Sequence, residues 1–162
     1  MNIVLVRVDN RLIHGQIIEA WIPYTEASRI IIADDEVAAD FFRESVIRMA
    51  VPRDIDLVIV GVEELSQKYS FERGRGKKTI VIFHDIKTAW RAYKNGFSYN
   101  RLNLGNVHTE DCRCRCSPSV LLGEEDIQNL TDLLQAGVFI DIRRVPREKA
   151  MDIRDFIKSP KI

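Results

Sequence analysis

The feature that most constrains this chain is a set of short runs built almost wholly from Val, Ile and Leu. "NIVLVRV", "SRIIIAD", "DLVIVGV", "KTIVIFHD" and "YNRLNLG" recur along the sequence. Runs this continuous, rather than strictly alternating with polar residues, belong to strands buried on both faces. Between them lie stretches with helical spacing. Ile86, Ala89, Trp90, Tyr93 and Phe97 form one stripe, with Gly96 as its stop signal. Val37, Phe41, Val46 and Met49 mark a similar face within "EVAADFFRESVIRMAV", capped by Asp34 or Asp35. "GEEDIQNLTDLLQAG" adds a third helix, with acids in its first turn and Gly137 past its end. "VFIDIRRV" reads as a further strand, and "PREKAMDIRDFI" as a final helix opened by Pro146. "ERGRGKK" reads as a loop leading into the fourth strand. The alternation predicts one α/β domain over residues 1–162, three layers deep, with a mainly parallel central sheet.

Composition agrees and narrows the functional classes. At 162 residues, 46% hydrophobic and 30% charged, the chain has the volume and balance of one globular core. Its 24 basic and 24 acidic side chains cancel, so no field of one sign points to nucleic acid or an anionic membrane. The start is polar at Asn2 and charged by Arg7, unlike a signal peptide, and no apolar run has bilayer-spanning length. A cytoplasmic protein is expected. Three cysteines, an odd number clustered together, do not read as a secreted disulfide framework.

Against this background the end of the first strand is unusual. "VRVDNRLIHGQ" passes from buried apolar residues straight into charges, an imidazole and a glycine. In a parallel α/β sheet, ligands sit beyond the carboxyl ends of strands, near a topological switch point. Strand periodicity puts Arg7 and Asp9 on one face and Val6 and Val8 on the other. Buried charges of this kind are costly unless paired or used. Arg11 and His14 follow near the same opening, where a helix starting at Gly15 or Gln16 directs its amino end. An imidazole near neutral pH can carry a phosphoryl group on nitrogen. Arginine offers paired donors to phosphate oxygens, a helix amino end attracts anions, and glycine permits close backbone approach. Asp9 could orient the ring or balance Arg7 or Arg11. A surface histidine beside a local Asp9–Arg11 ion pair fits the same residues, and spacing alone does not choose between the two.

"RVDNRLIHGQI" strongly resembles the phosphorylation-site signature of the IIB subunits of the mannose/fructose/sorbose class of the bacterial phosphoenolpyruvate-dependent sugar phosphotransferase system. "IIADDEVAAD", "VEEL", "RLNLGNVH" and "IDIRRVP" follow in that family's order and spacing. The resemblance implies that His14 takes a phosphoryl group from a phosphohistidine on a IIA partner. It passes the group to a sugar moving through membrane IIC and IID partners, with which the chain would associate peripherally. In the family the phosphate sits on the ring nitrogen nearer the backbone, and sugar selectivity resides mainly in the membrane partners. Carried over, His14 is the carrier, with Arg11 first and Arg7 second in stabilising the phosphate. Asp9 and Asn10 fill the family's acidic or amide pair and Gln16 its glutamine; Gly15 belongs to the phosphate- or partner-binding loop, and His108, after the "LGN" segment, is a secondary site contact. Such a relay implies no cofactor and no metal. A regulatory subunit without transport and an anion- or metal-binding module are the competing functions, and self-association is left open.

Other residues have alternative uses. His84 and His108 also follow strand-like runs, so a three-histidine metal site is a competing arrangement, and His84 otherwise reads as a loop or cap residue. In "CRCRC", an extended chain would put Cys112, Cys114 and Cys116 on one face about 6–7 Å apart, too spread for one tetrahedral zinc. An edge strand alternating cysteines with solvated Arg113 and Arg115 is expected there, with a bent loop holding metal together with His108 as the alternative. Relatives usually carry polar and basic residues at these positions. "IIADDE" resembles the acidic strand end of receiver domains, but the Asp and Lys such a site needs on later strands are missing, so capping is expected. Trp21 and Trp90 read as core or interface residues.

Overall fold

The structure, a computed structural model, describes residues 1–69 and 75–157. Its centre is a seven-stranded sheet ordered β3-β2-β4-β1-β5-β8-β9. The strands are β1 (Asn2–Asp9), β2 (Arg29–Ala33), β3 (Asp56–Val60), β4 (Lys78–Phe83), β5 (Arg101–Asn106), β8 (Phe139–Ile142) and the short β9 (Met151–Asp152). All neighbours pair in parallel except β9, which runs antiparallel to β8. A separate ribbon of β6 (Cys114–Ser117) and β7 (Val120–Leu122) follows β5. The mainly parallel α/β architecture expected from the apolar runs is the one observed.

Each central strand buries both faces, and its alternate residues feed different cores. Ile30, Ile32, Ile80 and Ile82 pack with Leu12, Ile17, Trp21 and Val37 on one side. Ile31, Ala33, Val81, Phe83, Val6 and Val8 face the opposite side. There they meet α4 (Val62–Tyr69), α5 (Ile86–Lys94) and α6 (Glu124–Gln135). The first side is covered by a π-helical segment, Gln16–Trp21, running into α1 (Ile22–Thr25), and by α2 (Asp35–Ala38) and α3 (Phe41–Ala50). From β1 the chain crosses to β2 over the first side, whereas from β5 it proceeds to β8 by way of α6 on the other. The crevice between the carboxyl ends of β1 and β5 is therefore a switch point.

Two expectations are corrected. The stretch from Glu36 to Val51 is two helices, because Asp40 resets the phase. Its carboxylate accepts from the amides of Phe42 and Arg43 and caps α3 afresh. The face of Phe41, Val46 and Met49 consequently points outward, at 85%, 51% and 87% exposure, while Val37 alone of the expected stripe is buried. The final helix opened by Pro146 is absent. Arg143 donates to the carbonyls of Pro146 and Glu148, which are then lost to helical amides, and Met151–Asp152 pairs with β8 instead. A 3-10 turn, Ile153–Asp155, follows β9. Of the loop "ERGRGKK", residues 72–74 lie outside the described residues.

Both acids of "IIADDE" are caps. Asp34 accepts from Val37 N at 2.9 Å at the start of α2, and Asp35 Oδ1 accepts from Val62 N at 2.9 Å at the start of α4. Trp21 is buried and donates to Arg144 O at 2.9 Å, whereas Trp90 stacks on Tyr93 with ring centroids 6.0 Å apart. Among the described residues no helix is long and apolar enough to cross a membrane.

Candidate functional site

Arg7 and Asp9 do share a face of β1, and both are fully buried. A guanidinium has five N–H donors, and every one is engaged here. Nε and Nη2 donate to Asp9 Oδ2 at 3.2 and 3.0 Å. Nη1 donates to Asn103 Oδ1 at 2.7 Å and Arg143 O at 3.0 Å, and Nη2 also reaches Gln16 Oε1 at 3.2 Å. Burial pulls the Arg7 pKa below its ordinary value, and the charge of Asp9 opposes that pull. Asn103 passes the chain on to Asp141, which Arg101 covers from the solvent side at 3.0 Å.

Gly105 makes room for this arginine. A Cβ there would lie 2.0 Å from Arg7 Cζ, inside the guanidinium. Beside it, a bulge shifts the β1–β5 register, so that Val8 faces Leu104 but Asp9 faces Asn106. Asn106 Nδ2 consequently donates to Asp9 Oδ2 at 3.0 Å. Sequence reasoning misses Asn103, Gly105 and Asn106, although "RLNLGN" signals them. Polar or small residues alternate there with Leu102 and Leu104, which is unexpected in a strand buried on both sides.

His14 completes the cluster. Its Nε2 lies 2.7 Å from Asp9 Oδ2, with the ring 14% exposed. A carboxylate only accepts, so Nε2 carries the proton. On the other side of the ring, Gln16 N–H points at Nδ1 from 3.4 Å, and an amide only donates. The two contacts select one tautomer, in which Nδ1 holds the lone pair at the amino end of the π-helical segment. Burial alone would raise the Asp9 carboxyl, but the hydrogen bond from His14 and the Arg7 charge hold it below its ordinary range. Arg11 N donates to Asp9 Oδ1 at 3.0 Å, while the Arg11 side chain is 45% exposed and donates to Gln16 Oε1 at 3.0 Å.

The backbone fixes this loop between two anchors. Asn10 N bonds Asn106 O at 3.0 Å, and Leu12 N bonds Asp9 O at 3.0 Å. Leu12 has φ of +57° yet buries its side chain among Ile17 and Trp21, a left-handed conformation that costs a non-glycine residue about 1 kcal/mol. Gly15 has an ordinary helical φ of −53°, so no backbone strain demands a glycine there. The structure thus brings together Arg7, Asp9, Asn10, Arg11, His14, Gly15 and Gln16. His108 is exposed beyond β5, outside this hydrogen-bonded network.

His84 stands at the end of β4 beside Asp85, with Nδ1 3.4 Å from Oδ2. Asp85 caps α5 through Thr88 N at 2.7 Å. Burial would raise Asp85, but the hydrogen bonds from His84 and Thr88 bring it down to about 2. The hydrogen bond to Asp85 raises His84 in turn. Among the described residues no group of three or more His, Cys, Asp or Glu is placed to hold a metal ion.

His14, held in one tautomer, faces the amino end of the π-helical segment at the switch point of a parallel sheet, where α/β proteins place their ligand sites. The chain belongs to the family described as PTS system sorbose subfamily IIB component, which it matches over residues 3–162. It is accordingly a IIB component of a phosphotransferase-type sugar uptake system. The fructose-specific EIIB component of Bacillus subtilis (strain 168) is 29% identical over 159 residues, covering 98% of each chain. The mannose-specific EIIAB component of Escherichia coli (strain K12) is 30% identical; the match takes in 98% of this chain and 49% of that longer protein. The crystal structure of the IIBSor domain of the sorbose permease from Klebsiella pneumoniae superposes with a TM-score of 0.83 at 28% identity. That match covers 96% of this chain and 95% of the other.

Proposed function

We propose that this chain carries a phosphoryl group on Nδ1 of His14, taking it from a phosphohistidine of a IIA partner and passing it to a sugar. The observation that carries this reading is the pair of contacts on the ring, Nε2 to Asp9 at 2.7 Å and Nδ1 toward Gln16 N at 3.4 Å. In the transfer, the Nδ1 lone pair forms a bond to phosphorus as the bond from phosphorus to the donor imidazole breaks. The donor nitrogen keeps that electron pair. His14 keeps its Nε2 proton, so the phosphorylated ring is positively charged and Asp9 stabilises it. Nucleophile and donor need only be held in line, and charge stabilisation does the rest.

Arg11, with its side chain exposed at the opening, is the arginine available for phosphate oxygens. Arg7 has no donor left for a ligand and acts through Asp9. Asn10, Gly15 and Gln16 shape the opening, with Gln16 N–H offered to the arriving anion. The second transfer, to sugar, takes place at membrane IIC and IID partners, and the chain works in the cytoplasm beside them. A IIA partner is supported by the E. coli relative, a mannose-specific EIIAB component whose name joins A and B components in one protein.

The test is direct. The purified chain and its His14→Ala variant are incubated with phosphorylated IIA protein, and intact masses are compared. An acid-labile phosphate on the parent chain alone is expected; the same phosphate on both proteins would overturn the assignment.

A further inference from the structure

The cysteines of "CRCRC" are not used by the site above, and their geometry differs from an ordinary strand. Cys112 is exposed before β6, Cys114 is half-buried and Cys116 is buried within it; all three are free thiols. Residues two apart on a regular strand share a face with Cα atoms about 6.6–6.8 Å apart, at the upper limit for a disulfide. This strand is not regular, because its register against β7 shifts between Arg115 and Ser117. Bulges of this kind bend a strand. Cys114 Sγ and Cys116 Sγ lie 3.6 Å apart, and Cys114 Sγ also faces Phe156 O at 3.9 Å.

We infer that Cys114 and Cys116 form a redox-active dithiol site that closes reversibly to a C-x-C disulfide when it meets a small-molecule disulfide. Closure requires the sulfurs to approach by about 1.5 Å, to the usual bond length near 2.05 Å, at a place where the strand is already bent by the register shift. Among the described residues no third His, Cys, Asp or Glu is placed to complete a three-ligand metal site with them.

The order of steps follows from exposure. Cys114 is the accessible member of the pair. Burial and the neighbouring Cys114 push the Cys116 thiol up to about 12, so it is the slower of the two to form a thiolate and enters second. The Cys114 thiol loses its proton to solvent, and its thiolate attacks one sulfur of the reagent RSSR. A mixed disulfide forms on Cys114 and the first RS⁻ leaves, taking up a proton. Cys116 then gives up its proton, its thiolate attacks Cys114 Sγ, the bond to the reagent's remaining sulfur breaks, and the second RS⁻ takes up that proton and leaves as RSH. The two cysteines lose two electrons together, and RSSR gains them as 2 RSH. Cys112 lies outside the pair and reacts only as an independent exposed thiol.

The experiment uses the full chain, equilibrated without oxygen in glutathione buffers running from fully reduced to fully oxidised. Samples are quenched in acid, alkylated, weighed intact and mapped by peptide. Two thiols should disappear together, with the crosslink mapped to Cys114 and Cys116, and Cys112→Ser should leave that transition unchanged. Cys116→Ser should stop at a glutathione adduct on Cys114. Circular dichroism of the oxidised parent chain, which carries no substitution, confirms that closure occurs in folded protein. Three alkylatable thiols at the oxidising limit, adducts without a crosslink, or a crosslink involving Cys112 would each overturn the assignment.

Discussion

Nε2 of His14 lies 2.7 Å from Oδ2 of Asp9, and this contact decides which ring nitrogen keeps its lone pair. The same carboxylate oxygen takes donors from Arg7 and Asn106. With Arg11 N on its other oxygen, Asp9 is held by three residues as it orients the imidazole. Replacing Asp9 by Asn puts either an N–H against these donors or an amide of no charge beside Arg7. Phosphorylation of Asp9→Asn should fall by about 10²-fold, the scale of a misplaced acid–base group. Nitrogen NMR of His14 distinguishes this from general damage: the parent chain should show the proton on Nε2, the variant a mixture of tautomers. A variant with the parent tautomer and the parent rate would contradict the role given to Asp9.

Arg11→Ala separates chemistry from folding. The side chain is 45% exposed and its hydrogen bond to Gln16 lies at the surface. Stability measured by urea titration should change by less than about 0.5 kcal/mol. Transfer from phosphorylated IIA, followed by rapid quench, should slow by about tenfold or more, since a charge-assisted contact to phosphate is lost. An unchanged rate would remove Arg11 from the reaction.

The two glycines near the site should respond in opposite ways. In Gly105→Ala the new Cβ would occupy the place of the Arg7 guanidinium, from which it would lie 2.0 Å. Expelling a buried, fully bonded charge from its partners should cost about 3–5 kcal/mol by chemical denaturation. In Gly15→Ala the Cβ would meet only Glu19 Oε2 at 3.9 Å, with a helical φ of −53°. That variant should be as stable as the parent or up to about 1 kcal/mol more stable. If its transfer rate nevertheless collapses, the glycine serves an approaching partner rather than the fold.

The pair His84–Asp85 supplies a pH signature. Asp85, lowered from 3.8 to about 2, stabilises the fold above its unfolded value, and the gain is lost as pH falls through the folded one. His84 is raised from 6.5, so its contribution is full below that value and fades as pH rises through its folded pKa. Both partners are charged between these limits. Asp85→Asn keeps a good cap for α5 but removes the charge. Its melting temperature should lag the parent's most between about pH 4 and 6.5, with the gap closing toward pH 2 and again in alkaline buffer. A gap independent of pH would mean that only the cap matters.

Part of this site is legible in the sequence. A period of two on β1 suffices to place Arg7 with Asp9, and the loop order brings Arg11 and His14 to the same strand end. What stays hidden depends on contacts distant along the chain. Asn103 meets Arg7 from 96 residues away, and Asn106 reaches Asp9 only because a bulge shifts the register. Helix phase misleads where a side-chain cap intervenes, since one aspartate at position 40 turns Phe41 and Met49 from the core to solvent. The last expected helix gives way to a strand pairing and to carbonyls claimed by Arg143, neither of which local propensity contains.

The buried turn at Leu12 bears on how partners would be exchanged in the proposed relay. Leu12 holds a left-handed conformation in the middle of the His14 loop by burying its side chain beside Trp21, and Asn10 fixes the start of that loop to β5. Anchored there, the loop gives up its conformational entropy when the chain folds, so meeting a partner requires little further ordering. Complexes formed by such a surface can be brief and still selective. That combination of short residence and definite geometry is what the proposed carrier, visiting two partners in turn, requires.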